Sequence, residues 1–384
     1  MLRKLSISGF KSLKDFSITP TTNFLSIAGE NGVGKSNICD ALLFLQSIIN
    51  NGFFTSLREF GGTDYIFRDQ LDDSGYCRIS YYIDLTDDVS KRDNPPPIGL
   101  ENKFYPKYQI DIFWKPDEVI MNEKLYIGSE LVLDRKNNSI SVLGRNGKLK
   151  KVEALSQYNP DITALNLISG NPIVEFIKNI KIYRFNPLAA KSRISLINNS
   201  ESLDSDGKNL ALILSKIEQN ENLKEVILDW LNLIVPSLSN VKVDKNEKDC
   251  DINFYEKYDG HKYPSQLVSD GTMYVLCMLT AILSNKEKNN SLILIEEPER
   301  GIHPKAIAEL INFMRYQVSE FYNIIITTHS ESVVRSMNID EFWIAVRQNG
   351  KTLVKHASEV SKEAEDMNLD KAWLMNVFDG GLPW

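Results

Sequence analysis

Eight residues near the start of the chain, Gly29-Glu30-Asn31-Gly32-Val33-Gly34-Lys35-Ser36, have the GxxxxGK[ST] spacing of a phosphate-binding loop. The glycines let backbone N–H groups curl around a phosphate, and the start of the following helix adds its own unpaired donors. Lys35 can then reach the β- and γ-phosphates, the Ser36 hydroxyl can bind Mg²⁺, and Asn37 follows as the next candidate contact, so ATP and Mg²⁺ are the ligands this motif requires. A second chemical feature stands far downstream, where an apolar run from Ser291 ends in Glu296-Glu297-Pro298-Glu299. Two adjacent carboxylates at a strand end need a metal or a proton to offset their repulsion. That assigns Glu296 to the metal and Glu297 to activating water for attack on the γ-phosphate. A third apolar run, 321–328, ends at His329, whose imidazole can hydrogen-bond the γ-phosphate or the attacking water.

These groups need rigid elements behind them. The apolar residues 24–28 predict a buried strand before the loop, and 37–45 predict the helix that leaves it. Upstream, residues 2–10 alternate as an opening strand and a turn leads to a second strand ending at Ile18; Arg3, Phe10 and Lys11 either touch a nucleotide base or serve as ordinary edge-strand residues. Ser269 or Asp270 can cap a helix over 273–283, and Gly271 permits close backbone approach to a phosphate. His303 sits in a turn before a helix that starts near Lys305. Residues 342–346 predict a late strand.

Between these motifs lies a different texture. Residues 77–85 predict a strand, with Gln70 before it as a candidate sensor of Mg²⁺ and water. After a breaker at 93–97, strand-like pieces occur at 108–114, 124–127, 130–134 and 139–143, with a hairpin turn at Asn146-Gly147. The expected organisation is an ATPase core split between 1–85 and 261–345, a β-rich lobe inserted at 86–187, a helical lever and linker at 188–260, and a tail at 346–384. Within the lever, an acidic, glycine-containing turn in the stretch 203–214 is expected to start one helix and a second to run through Asn222 to Ile234, while 241–252 reads as charged and peripheral. Arg184, Lys191 and Arg193 form a basic cluster, either a solvated face or an approach to a polyanion. Trp373 and Trp384 could anchor a partner or serve the core, and Glu363, Glu365, Asp366 and Asp370 make the tail acidic without completing a metal-nuclease set.

A chain of 384 residues with 42% apolar and 25% charged residues can bury a large core. Its formal charge of −7 argues against a uniformly basic nucleic-acid coat while leaving DNA open as a ligand of a local groove. The four cysteines are scattered, as expected of reduced thiols in a cytoplasmic protein, and no apolar run is long enough to span a membrane.

Together these motifs resemble the ATP-binding-cassette superfamily, specifically its soluble RecF/SMC-like and OLD-like branch. The resemblance implies an α/β fold: an ABC-type P-loop ATPase head with an inserted β-rich lobe and a helical subdomain. It identifies Gly29 to Ser36 with the Walker A motif, Ser269-Asp270-Gly271-Thr272 with the signature, Leu292 to Glu297 with Walker B, the turn at Glu299 to His303 with the D-loop, and His329 with the switch histidine. Two departures stand out: Glu296 replaces the usual aspartate, and the signature lacks its second glycine. The resemblance further implies homodimers or higher oligomers, with Ser269 and Gly271 of one head meeting ATP on the other. OLD-like nucleases carry a TOPRIM domain after the ATPase, for which 384 residues leave no room. The implied protein is an ATPase of a bacterial defence system that senses phage or DNA and controls a separately encoded effector, a TOPRIM-type nuclease or another toxin. The alternatives are a RecF-like repair ATPase and an ATP-gated scaffold with little hydrolysis.

Overall fold

The computed structural model describes residues 1–67, 75–88, 103–116, 118–144, 146–152, 159–168, 170–195, 200–286, 291–359 and 368–377. The chain opens with β1 (Leu2–Ser8), β2 (Phe16–Ile18) and β3 (Phe24–Ala28), and the loop after β3 leads into α1 (Lys35–Asn51). Helices α2 (Phe53–Glu59) and α3 (Thr63–Ile66) precede β4 (Cys77–Leu85). Beyond the short pair β5 (Asp87–Asp88) and β6 (Lys103–Phe104) come β7 (Pro106–Lys115), β8 (Glu118–Ile127), β9 (Glu130–Lys136), β10 (Ser139–Leu143) and β11 (Leu149–Lys151). Next are α4 (Pro172–Lys178), β12 (Ile180–Tyr183), α5 (Pro187–Ala190), β13 (Ile194–Ser195), α6 (Leu210–Ile217) and α7 (Glu221–Ile234). Strands β14 (Leu238–Lys245), β15 (Asp249–Glu256) and β16 (Lys262–Pro264) follow. The last part holds α8 (Asp270–Asn285), β17 (Ser291–Glu296), α9 (Pro304–Gln317), β18 (Tyr322–Thr328), α10 (Glu331–Arg335), β19 (Phe342–Gln348), β20 (Lys351–His356) and α11 (Leu369–Leu374).

The central sheet runs β12-β17-β18-β3-β19-β20, parallel except for the last strand. Its inner strands are buried on both faces, which is why β3, β17 and β18 read as unbroken apolar runs. Their side chains divide between two cores. Phe24, Ile293 and Ile295 face one formed with α6, α8 and α9, whereas Leu25, Leu292 and Leu294 face another formed with α1 and the antiparallel sheet. Register then decides chemistry. Thr328 pairs with Ala28 and Glu296 with Thr327, so the loop after β3, the acidic pair after β17 and the histidine after β18 leave neighbouring strand ends together.

The antiparallel sheet has eight strands in the order β11-β10-β9-β8-β7-β4-β1-β2. The strands of the β-rich segment therefore extend the sheet that starts at the N-terminus: β7 pairs with β4 along its length, Tyr81 opposite Ile110. Alternation of buried and half-buried residues along β7 marks one face on the core and one toward solvent. A fully buried ion pair, Arg135 Nη1 to Glu123 Oε1 at 2.8 Å, ties this sheet to the following segment, because Glu123 accepts from the backbone of Ala164 and Leu165 while Arg135 donates to the carbonyls of Ile162 and Pro160.

Residues 241–252 are not peripheral. They lie in the β14–β15 hairpin, whose Val241, Cys250 and Ile252 are core residues while Lys242 and Lys245 face out. The four cysteines are free and buried, and no helix among the described residues is long and apolar enough to cross a membrane.

Candidate functional site

The phosphate loop is shaped by its glycines. Gly34 has φ +104 and Gly32 φ +80, left-handed values that a side chain disfavours. Gly34 also stands at the N-cap of α1 without a side-chain cap, and no acidic residue occupies the first turn, so that helix start keeps its donors for an anion. Lys35 is buried, and its Nζ donates to the carbonyls of Gly29 (2.6 Å) and Glu30 (2.8 Å). Burial lowers its pKa, against the opposing pull of Glu297, Glu299 and Glu296.

Opposite the loop, Ser36 Oγ donates to Glu296 Oε2 at 2.8 Å. The longer glutamate thus spans from β17 to the serine of the phosphate loop. Its other oxygen accepts from Arg184 Nε at 2.5 Å, and Arg184 Nη2 reaches Asp40 Oδ1 at 2.7 Å. Asp40 in turn accepts from Lys11 Nζ at 2.8 Å; burial opposes its ionised form, yet the two cations hold its pKa below the usual carboxylate value. Glu297 adopts φ +51, a left-handed conformation rare outside glycine and typical of strained functional positions. His329 Nδ1 lies 3.3 Å from Glu297 Oε1 and 3.6 Å from Glu299 Oε1. Glu299 is held by Thr328 Oγ1 (2.7 Å) and the His329 backbone N–H (3.2 Å), and burial pushes its pKa up.

A serine hydroxyl touching a carboxylate, beside a loop whose glycines bring backbone close, is an oxygen-donor set suited to a hard cation on a triphosphate. Ser36 and Glu296 fit Mg²⁺, and Gly29 to Lys35 fit the phosphates. The fold gathers Lys35, Ser36, Glu296, Glu297 and His329 at one edge. Glu30, Asn31, Gly32 and Val33 complete the loop, while Asn37 turns to Ser12 Oγ at 2.7 Å. Ser269 and Gly271 stand apart at the start of α8. Ser269 caps that helix by accepting from Thr272 N at 3.1 Å, and Gly271 is packed so closely that a Cβ would fall 2.3 Å from the Gly301 carbonyl oxygen.

Several sequence expectations are corrected. Phe10 is fully buried against Phe44 and cannot meet a base, and Arg3 lies over the Tyr105 ring. Lys11 does line a cavity of about 570 Å³ with Ser12, Asn37, Tyr65 and Arg347, beside the loop. The basic cluster is neutralised: Arg184 pairs with Glu296 and Asp40, Lys191 with Asp270, and Arg193 with Asp251. For Trp373 the core alternative holds, Asp370 pairs with Arg335, and His303 has a local role, capping α9 through Lys305 N. Gln70, Trp384, Glu363, Glu365, Asp366 and the breaker at 93–97 lie outside the described residues. Sequence reasoning missed Asp40, Arg347 and Thr352. Asp40 carried a signal, since it follows Ser36 by four residues on one helix face.

A profile of the AAA_21 family, described as "AAA domain, putative AbiEii toxin, Type IV TA system", matches residues 124–335. A curated relative from Helicobacter pylori named "ATP/GTP phosphatase" is 21% identical over 349 residues, covering 88% of each chain. Among solved structures, an SMC head bound to the C-terminal winged-helix domain of ScpA superposes with a TM-score of 0.52 at 14% identity, covering 94% of this chain and 99% of that one. An SMC head with an extended coiled coil, bound to the C-terminal domain of ScpA and derived from Pyrococcus furiosus, gives a TM-score of 0.51 at 14% identity, covering 95% and 99%. At such identities the likeness is one of fold, that of an ABC-type ATPase head.

Proposed function

The chain belongs to the AAA_21 family of AAA domains, and we propose that it is a Mg²⁺-dependent ATP hydrolase whose heads pair on nucleotide to control a separately encoded effector in bacterial defence. The observation that carries the hydrolase reading is the contact of Ser36 with Glu296, set beside Glu297 and His329 at the mouth of the phosphate loop. Lys35 exchanges the carbonyls of Gly29 and Glu30 for the β- and γ-phosphates, joined by the loop amides. Ser36 and Glu296 hold the cation. Bound Mg²⁺ supplies charge stabilisation across the phosphate oxygens. Glu297 takes a proton from water as the water oxygen bonds to the γ-phosphorus and the bond to the β-phosphate oxygen breaks, leaving ADP and inorganic phosphate. His329, 3.3 Å from Glu297, hydrogen-bonds the γ-phosphate or the attacking water, and Glu299 fixes the backbone of His329.

The relative's printed name supports nucleotide hydrolysis, the family description supports a toxin-linked defence role, and the ScpA-bound heads support docking of a partner protein. A site completed by Ser269 and Gly271 of a second head is part of this reading, and it rests on the resemblance of 269–272 to a signature motif. Arg184, Lys191 and Arg193 each pair with a carboxylate, which favours the solvated-face reading of the basic cluster. Two substitutions test the reading. Lys35→Ala abolishes ATP binding measured by fluorescence titration, and Glu297→Gln keeps binding while phosphate release falls by about 10²–10⁴-fold. Retained binding in the first, or normal turnover in the second, contradicts it.

A further inference from the structure

The last hairpin, β19–β20, grips the phosphate loop at three places. A Cβ at Gly29 would stand 2.5 Å from the Ala345 carbonyl oxygen of β19. A Cβ at Gly34 would stand 2.1 Å from Thr352 Oγ1 of β20 and 2.6 Å from Ser12 Oγ. Arg347 Nη1 donates to the Gly32 carbonyl at 2.8 Å. The loop therefore lies directly on this hairpin, which falls outside the residues matched by the family profile.

The hydroxyl of Thr352, fully buried, has one hydrogen to give. It goes to the Val33 carbonyl at 2.6 Å, because a carbonyl can only accept. The 2.6 Å contact between Thr352 Oγ1 and Ser12 Oγ is then donated by Ser12, whose oxygen accepts from Asn37 Nδ2 at 2.7 Å. The proton order is fixed along Asn37, Ser12, Thr352 and Val33, from the first turn of α1 back to the loop. The Thr352 backbone N–H adds a bond to the Ser12 carbonyl at 2.9 Å. In a trans peptide the carbonyl and the next N–H point in opposite directions. Drawing the Val33 carbonyl toward Thr352 therefore turns the Gly34 N–H away from the hairpin, where it can serve an anion.

We propose that the β19–β20 hairpin is a clamp that presets the phosphate loop for nucleotide, with Thr352 as its central positioning residue and Arg347 as its outer support. This rests on the nucleotide reading of the loop given above. Thr352→Val keeps the shape and removes the hydroxyl, leaving the Ser12 hydroxyl hydrogen without its acceptor and the Val33 carbonyl without its donor. Thr352→Ser restores the hydroxyl, and Arg347→Met changes an exposed side chain that the fold tolerates.

The test is titration of all three variants and the natural chain with a fluorescent ATP analogue, with amide hydrogen exchange of residues 29–35 measured without nucleotide. Thr352→Val weakens binding about tenfold and Arg347→Met about fivefold, as expected for loss of one buried and one charge-assisted bond. Thr352→Ser stays within about twofold of the natural chain, and loop exchange speeds up in Thr352→Val. Should Thr352→Val fail to fold, Arg347→Met and Thr352→Ser decide the matter. Natural affinity and natural loop exchange in the valine and methionine variants overturn the clamp, as does a serine variant as weak as the valine one. A natural chain that binds no nucleotide instead overturns the hydrolase reading, and the clamp then stands or falls on the exchange data.

Discussion

Three carboxylates crowd one strand end, and their surroundings divide the work. Glu296 is bound on both sides, by Ser36 and Arg184, with one oxygen turned to the serine of the phosphate loop. Glu297 is half exposed, held in a left-handed turn with His329 beside it, and is free to meet water. Glu299 is the buried one, with Oε2 lacking a hydrogen-bond partner and its pKa raised by burial. A carboxyl whose folded pKa exceeds its unfolded value binds more protons when folded, so its ionisation subtracts stability as pH rises from the unfolded value through the folded one. Glu299→Gln keeps an acceptor for Thr328 and His329 without the charge. It should therefore raise the melting temperature at neutral pH, and the gain should shrink as the pH falls toward about 4, where the natural carboxyl is protonated. A lower melting temperature at neutral pH would count against burial as the dominant influence on Glu299. At this scale the sequence was informative: adjacent carboxylates and a glycine-rich loop declare their chemistry by type and spacing. Thr352 declared nothing, since a threonine in a late strand meets the loop only through pairing some three hundred residues distant.

Elements were legible wherever burial is uniform. Strands β3 and β17 and helix α8 announced themselves as apolar runs bounded by turn residues, and β4 and β10 were read with the bounds they adopt. The β14–β15 hairpin was not, because one of its faces carries lysines and aspartates and its core face holds only every second residue. Pairing partners were also invisible. Nothing in residues 106–115 says that they continue the sheet of β1 and β4, which comes from register across a long connection. The meander is locked to the rest by Glu123 and Arg135, both buried, and a buried pair is dangerous to halve. Glu123→Ala leaves the Arg135 charge without its carboxylate and the Tyr108 hydroxyl and two backbone N–H groups without their acceptor, and should destabilise the fold by about 3–5 kcal/mol in denaturant unfolding. A loss below about 1 kcal/mol would mean that the pair is dispensable.

At the scale of the molecule, the central sheet delivers loop, acid and histidine to one edge, while Ser269 and Gly271, the proposed signature residues, sit at the start of α8 with partners of their own. The Phe185 carbonyl accepts from Tyr274 of α8 at 2.9 Å and Lys191 pairs with Asp270, so the strap that carries Arg184 from Glu296 also holds the signature helix. If heads pair as proposed, that continuity would give the phosphate loop a physical route to their junction. Glu297→Gln should trap ATP and so lock paired heads. Adding Ser269→Arg should leave ATP bound to single heads, because in the proposed pair the bulk would stand at the junction and not in the loop. The most direct measurement is the mass in solution of the Glu297→Gln protein with ATP and Mg²⁺, by light scattering. The account predicts a shift from 43.7 kDa to twice that value on adding ATP, reversed by the added Ser269→Arg. A nucleotide-loaded protein that remains at 43.7 kDa would contradict a shared site.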